Sequence, residues 1–317
     1  MKVEDLTFTS ADHVIREIRN MNVKGGSPFG RAAAWAFKLV SEQEDIQDKD
    51  VLFQRYDDVA KQMIDLKPTM ATIYNTWYLV QKVLEQKRHE DIETLKHAVI
   101  ELADRIIDYS FEAVDKLAGY GANLIQDGQT ILMHSYSSTL MGIFIQAAQA
   151  GRKFTVICTE SRPLRESRVA VRLLQKLQVP VIYITDAAVY EFMPRADFIV
   201  MGADSLCVNG DVANKMGTAM ISKLAKVCKK PVYIASELYK LDLRTAQGYP
   251  VMLERRTEKE IILPDDFESL EGIDVINQFF DLTPARDVDS IICEFGCIAP
   301  GAMISYWEKL ECDLLEC

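Results

Sequence analysis

No apolar run in this 317-residue chain is long enough to span a bilayer, and no block of lysine and arginine occurs. The first absence argues against a membrane protein. The second, with a net charge of −11 and a pI near 5.0, argues against nucleic-acid binding by bulk electrostatics. Histidine is scarce, and its four copies are too scattered to form a metal constellation. The seven cysteines are odd in number and irregularly spaced, which reads as reduced thiols and not a disulfide framework. Cys293 and Cys297 form one Cys-x-x-x-Cys pair without a second pair or a nearby histidine, so zinc is not expected. Gly25-Gly26 lacks the Lys-Ser/Thr ending of a phosphate loop, and no Gly-x-Gly-x-x-Gly follows the first predicted strand. No cofactor is therefore expected. The opening Met1-Lys-Val-Glu-Asp-Leu has no apolar signal core, and the whole predicts a soluble, cytoplasmic protein.

What is present is an ordinary globular balance, 49% apolar and 26% charged, with two textures. Up to about residue 127 the apolar spacing is helical almost throughout. It gives a helix at Asp12–Ile18, another opening at Ser27 or Pro28 and running to Val40, a third starting at Pro68-Thr69, and a long one from about Glu90 to Gln126. From Gly128 short apolar runs alternate with helices: Thr130–His134, Phe154–Thr159, Val181–Thr185, Phe198–Met201, Val232–Ala235 and Ser290–Cys293. Helices fall between them near Ser137–Ala150, Glu166–Gln178 and Ala219–Lys229, while Leu243 to Asp289 reads as an irregular excursion. The expected class is α/β: a helical N-terminal domain over 1–127 and a Rossmann-like, doubly wound, mostly parallel sheet over 128–317.

In such a sheet the carboxyl ends of the strands converge on one crevice. The ends deliver His134-Ser135-Tyr-Ser137-Ser138, then Thr159-Glu160-Ser161-Arg162-Pro-Leu-Arg165, Asp186, Asp204, and Ser236-Glu237-Leu-Tyr239-Lys240. The densest element is Met201-Gly-Ala-Asp204-Ser-Leu-Cys-Val-Asn209-Gly-Asp211-Val-Ala-Asn214-Lys215-Met-Gly217-Thr218, read as a polar loop leading into a helix N-terminus. Asp204 is the candidate proton donor or acceptor, and Lys215 with the amides beside Gly217 the candidate phosphate contact. Each residue has a plainer use: Ser137 or Asp186 as a helix cap, Arg162 as a partner of Glu160, Cys158 as core. Their convergence from several strands favours a sugar-phosphate site, with cations for phosphate and amides and carboxylates for hydroxyls.

These residues resemble a known superfamily. It joins the regulatory subunits of translation initiation factor 2B with methylthioribose-1-phosphate isomerase and archaeal ribose-1,5-bisphosphate isomerase. The matching runs are Gly202-Ala-Asp204 through Asn209-Gly-Asp211-Val-Ala-Asn214-Lys215-x-Gly217-Thr218, Thr159-Glu160-Ser161-Arg162-Pro163, Ser236-Glu237-Leu-Tyr239-Lys240, Lys24-Gly25-Gly26-Ser27 and Glu294-Phe-Gly296-Cys-Ile-Ala-Pro300. The Tyr-Lys and Thr-Glu-Ser-Arg-Pro runs match best the ribose-1,5-bisphosphate isomerase branch. The resemblance implies conversion of an aldose 1-phosphate to a ketose 1-phosphate by acid–base proton transfer, in a homo-oligomer that is a dimer or a ring of dimers. It implies Asp204 and the residue at position 135 as catalytic groups. It places Lys24, Gly25, Gly26, Ser27, Lys67, Arg162, Asn214, Lys215 and Lys240 on substrate. Three departures stand out. The first strand ends Met133-His134-Ser135 where the isomerases have Thr-His-Cys, Glu166-Ser167 stands for Gln-Gly, and Lys24 and Lys67 stand for arginines. Two accounts of Ser135 stay open: a replaced cysteine in an otherwise intact enzyme, or a natural serine in a chain that has lost or altered the reaction. The second leads to the alternative function, a non-catalytic sugar-phosphate or nucleotide-binding regulatory protein.

Overall fold

The computed structural model describes residues 6–316. Five helices come first: α1 (Ala11–Arg19), α2 (Gly26–Gln43), α3 (Lys49–Leu66), α4 (Ala71–Gln86) and α5 (Ile92–Leu124). Caps fix several of their starts. Ser10 accepts from the amide of His13, and Asp48 and Asp91 do the same for α3 and α5. The sequence reading gives no helix at 49–66 although Asp48 offers a cap, and Leu52, Tyr56, Val59, Ala60 and Met63 form the buried stripe of α3 at helical spacing. Pro68 lies ahead of α4 and outside its first turn.

The second part alternates strand and helix: β1 (Thr130–His134), α6 (Ser138–Gln149), β2 (Thr155–Thr159), α7 (Ser167–Lys176), β3 (Val181–Ile184), α8 (Val189–Phe192) and β4 (Phe198–Gly202). A hairpin of β5 (Ser205–Cys207) and β6 (Val212–Lys215) follows, then α9 (Thr218–Val227), β7 (Val232–Ala235) and β8 (Leu241–Asp242). After the two-residue strands β9 (Arg255–Arg256) and β10 (Asn277–Gln278) come β11 (Phe280–Thr283), β12 (Ser290–Cys293), β13 (Gly296–Ile298) and α10 (Met303–Leu315).

The main sheet has seven strands in the order β13-β12-β7-β4-β1-β2-β3, parallel except for β13, so the predicted doubly wound sheet is what forms. Both faces are covered, which is why its strands read as unbroken apolar runs. Leu132, Ile157, Ile199, Ile234 and Ile291 point into a core shared with the N-terminal helices. Ile131, Val156, Val200 and Ile292 point into the other, with Leu140 and Phe144 of α6. Cys158 is fully buried in that second core, as its place inside a strand suggested.

The expected polar loop after β4 is corrected: it holds β5 and β6, part of a second sheet ordered β11-β6-β5-β8. Asn209 and Gly210 lie between those strands, and Asp211 is spent locally, accepting from the Asn209 amide and from Ala285 N. The supposedly irregular 243–289 excursion contributes β11, whose Asp281 is registered opposite Asn214. Among the described residues, no helix is long and apolar enough to cross a membrane.

Candidate active site

Chain order in the main sheet reverses between β1 and β4: β2 and β3 lie beyond β1, whereas β7 and β12 lie beyond β4. That reversal opens a crevice at the carboxyl ends of the strands. His134 is registered opposite Met201, so Ser135 and Gly202 leave the sheet side by side and Asp204 follows directly. A methyl group on Gly202 would come within 2.8 Å of Ser137 Cβ, so only glycine lets the two strand ends close up. Ser137 caps α6 through Leu140 N, as one plain reading of it held.

Asp204 is partly buried, and among the described residues nothing hydrogen-bonds its carboxylate. Burial raises its pKa to about 6; the ammonium groups of Lys240 and Lys215 oppose the rise, and Glu254 and Glu166 add to it. Five charged side chains from separate stretches of chain therefore share one space. Lys215 is 3% exposed, pairs with Glu166 and lies 3.3 Å from the centre of the Phe279 ring. Burial lowers its pKa, against the pull of Glu166. The second oxygen of Glu166 is buried and has no hydrogen-bond partner among the described residues. Lys240 is committed, its Nζ 3.0 Å from the Ala203 carbonyl and 3.2 Å from Glu237. Burial would raise the Glu237 carboxyl, yet Lys240 and the Ser27 hydroxyl hold it below its usual value.

His134 is buried below Ser135. Burial lowers its pKa and keeps the ring neutral. Nε2 lies 2.9 Å from the Met216 carbonyl, which can only accept, so Nε2 carries the proton and Nδ1 accepts from the Thr159 hydroxyl at 2.7 Å. Gly217, at φ +109°, lies against that ring; a Cβ there would stand 3.0 Å from Nε2. Ser135 itself has φ +66°. Its amide donates to Ser161 Oγ at 2.8 Å, and Ser161 Oγ lies 2.7 Å from Ser167 Oγ at the start of α7.

The remaining candidates are spread around this centre. Gly26 touches Lys240, since a Cβ there would meet Lys240 Cε at 2.8 Å, and it lies beside Asp204. Lys24 and Gly25 are exposed, and among the described residues Lys24 has no ion pair. Asn214 donates to Thr218 Oγ1. Lys67 faces Glu254 at 3.7 Å. Arg162 is exposed and donates to the Ile261 carbonyl; Glu160 pairs with Arg165. Asp186 does not cap the turn that follows it but accepts from Ser161 N and Arg162 N, fixing the loop after β2. The amides beside Gly217 are likewise not free for phosphate: Asp281 accepts from Gly217 N at 2.7 Å and from Ala219 N at 3.2 Å. Burial raises Asp281 to about 6. Glu254 and Asp281 were missed because the 243–289 stretch reads as irregular, its strands being only two to four residues long. The alternation Phe280-Asp-Leu-Thr was the available signal for the second.

The family model described as "Initiation factor 2 subunit family" matches residues 22–300. The chain is 33% identical over 294 residues to the ribose 1,5-bisphosphate isomerase of Thermococcus kodakarensis, covering 92% of this chain and 91% of that one. It is 31% identical over 303 residues to the methylthioribose-1-phosphate isomerase of Geotalea uraniireducens, covering 92% and 88%. The crystal structure of the Pyrococcus horikoshii OT3 translation initiation factor eIF-2B superposes with a TM-score of 0.78 at 28% identity, covering 92% of this chain and 97% of that one.

Proposed function

Because the chain belongs to the initiation factor 2 subunit family, we propose that it is a sugar-phosphate isomerase turning an aldose 1-phosphate, ribose 1,5-bisphosphate or a near analogue, into the ketose 1-phosphate. The observation that carries this reading is Asp204: an acid at the sheet reversal, lifted to about 6 and free of hydrogen-bond partners among the described residues. A phosphate on C1 blocks simple opening of the sugar ring. The ring oxygen must be protonated as the C1–O bond breaks, and an acid poised near 6 can supply that proton close to neutral pH. Ser135 directly follows the neighbouring strand β1, where the family resemblance puts the group that takes the C2 proton.

Lys24, Gly25, Gly26 and Ser27 would bind a phosphate. Among the described residues Lys24 is an exposed cation without an ion pair, and no side chain caps the N-terminus of the 18-residue helix α2 beside it. Asn214, Lys215, Lys67 and Lys240 would face the sugar oxygens or the second phosphate, with Arg162 at the rim. Incubation with ribose 1,5-bisphosphate is expected to yield ribulose 1,5-bisphosphate. If neither the chain nor its Ser135→Cys variant forms a ketose from this or from 5-deoxy and methylthio analogues, the reading fails. Saturable binding without turnover would support the regulatory alternative.

The same reading includes a homo-oligomer. Leu263, Phe267, Leu270, Ile273 and Ile276 are all exposed apolar side chains of one segment, more than a solitary protomer comfortably shows to water. Sedimentation at micromolar concentration is expected to give a dimer or larger species; a monomer would exclude it.

A further inference from the structure

We propose that Glu166, not Ser135, is the base that removes the C2 proton, a role that rests on the isomerase reading above. A serine hydroxyl holds its proton at neutral pH unless a base draws it off. The adjacent imidazole cannot do so, because both nitrogens of His134 are engaged, one on the Met216 carbonyl and the other on the Thr159 hydroxyl.

Glu166 has what Ser135 lacks. One carboxylate oxygen is paired with the Lys215 ammonium, which holds the side chain in place. The other is buried and, among the described residues, has no hydrogen-bond partner, leaving an acceptor unused. The hydroxyl chain that starts at the Ser135 amide and passes through Ser161 ends on Ser167, the residue after Glu166. Glu166 is thus anchored beside the tip of β1, and through Lys215 it shares the electrostatic space of Asp204.

The proton traffic balances between the two carboxyl groups. Asp204 in its acid form gives a proton to the ring oxygen, which leaves C1 with the bonding electron pair. Glu166 takes the proton from C2, and the C2–H electrons form the C1–C2 double bond of an enol phosphate. Asp204, now a carboxylate, takes the proton of the C2 hydroxyl as the ketone forms, and protonated Glu166 returns its proton to C1. Both side chains end as they began, with no other reactant.

Glu166→Gln keeps the shape and removes the base. It is expected to lower kcat about a thousandfold, within the usual range for a general base, with sugar-phosphate binding by calorimetry changed less than threefold. Exchange of the C2 hydrogen with solvent deuterium should stop in this variant and partly return in Glu166→Asp. A residue that only positions Lys215 would alter binding and leave exchange proportional to turnover. Turnover by Glu166→Gln within threefold of the parent would overturn the assignment while sparing the isomerase reading. Activity that emerges only after Ser135→Cys would do the same. A chain and a Ser135→Cys variant inert to every aldose 1-phosphate would end both.

Discussion

Asp204→Asn is expected to reduce kcat by about three orders of magnitude, the middle of the range for loss of a general acid, while sugar-phosphate affinity changes only a few fold. Asparagine preserves the shape and a hydrogen-bond donor but cannot release a proton to the ring oxygen. The carboxylate makes no hydrogen bond within the described residues, so its loss leaves no protein group unsatisfied and the fold should survive. The pH profile gives an independent check. An acid must be protonated to act, and burial has raised Asp204 to about 6. Activity that depends on it is therefore retained below about 6 and declines about tenfold for each unit above it. A rate that stays flat from pH 6 to 9, or an Asp204→Asn variant with near-normal turnover, would exclude the acid role. The same raised pKa has a stability counterpart of fixed sign. Ionising Asp204 costs more folded than unfolded, so its contribution to stability is greatest below its ordinary value near 3.8 and is lost as pH rises through 6.

Lys240→Met is expected to destabilise the protein by about 3–5 kcal/mol, the range for removing one partner of a buried ion pair. Lys240 and Glu237 are 3% and 2% exposed, and the ammonium bridges Glu237 to the Ala203 carbonyl at the end of β4. Without it Glu237 keeps neutral contacts, from the Thr139 and Ser27 hydroxyls and its own amide, for a charge removed from water. The loss should appear as a fall in Tm of roughly 5–10 °C for a chain of this size. Lys240→Met combined with Glu237→Gln should recover much of it, since no uncompensated charge remains. A Lys240→Met variant as stable as the parent would show that the pair is not what holds β4, the Gly26 loop and the turn after β7 together. This gives Lys240 a structural duty beside any contact with substrate.

The chain by itself determined what depends on near neighbours. The Val/Ile-rich runs could only be strands buried on both faces, and helices between them dictate a parallel, doubly wound order. From that alone Ser135, Asp204 and Lys240 belong at one edge, because consecutive parallel strands all end on the same side. Only tertiary structure decided what depends on distant pairing. β6 and β11 meet across a long intervening stretch, so the hairpin that carries Asn214 and Lys215 passed for a loop, and Asp281 arrives from afar to occupy amides that looked free. Glu166 stood out in the sequence as a departure from the family pattern, but its partner Lys215 lies on another element. Whether a carboxylate is solvated, paired or left with one unused oxygen is set by burial and by what folds against it, and neither is written in its neighbours.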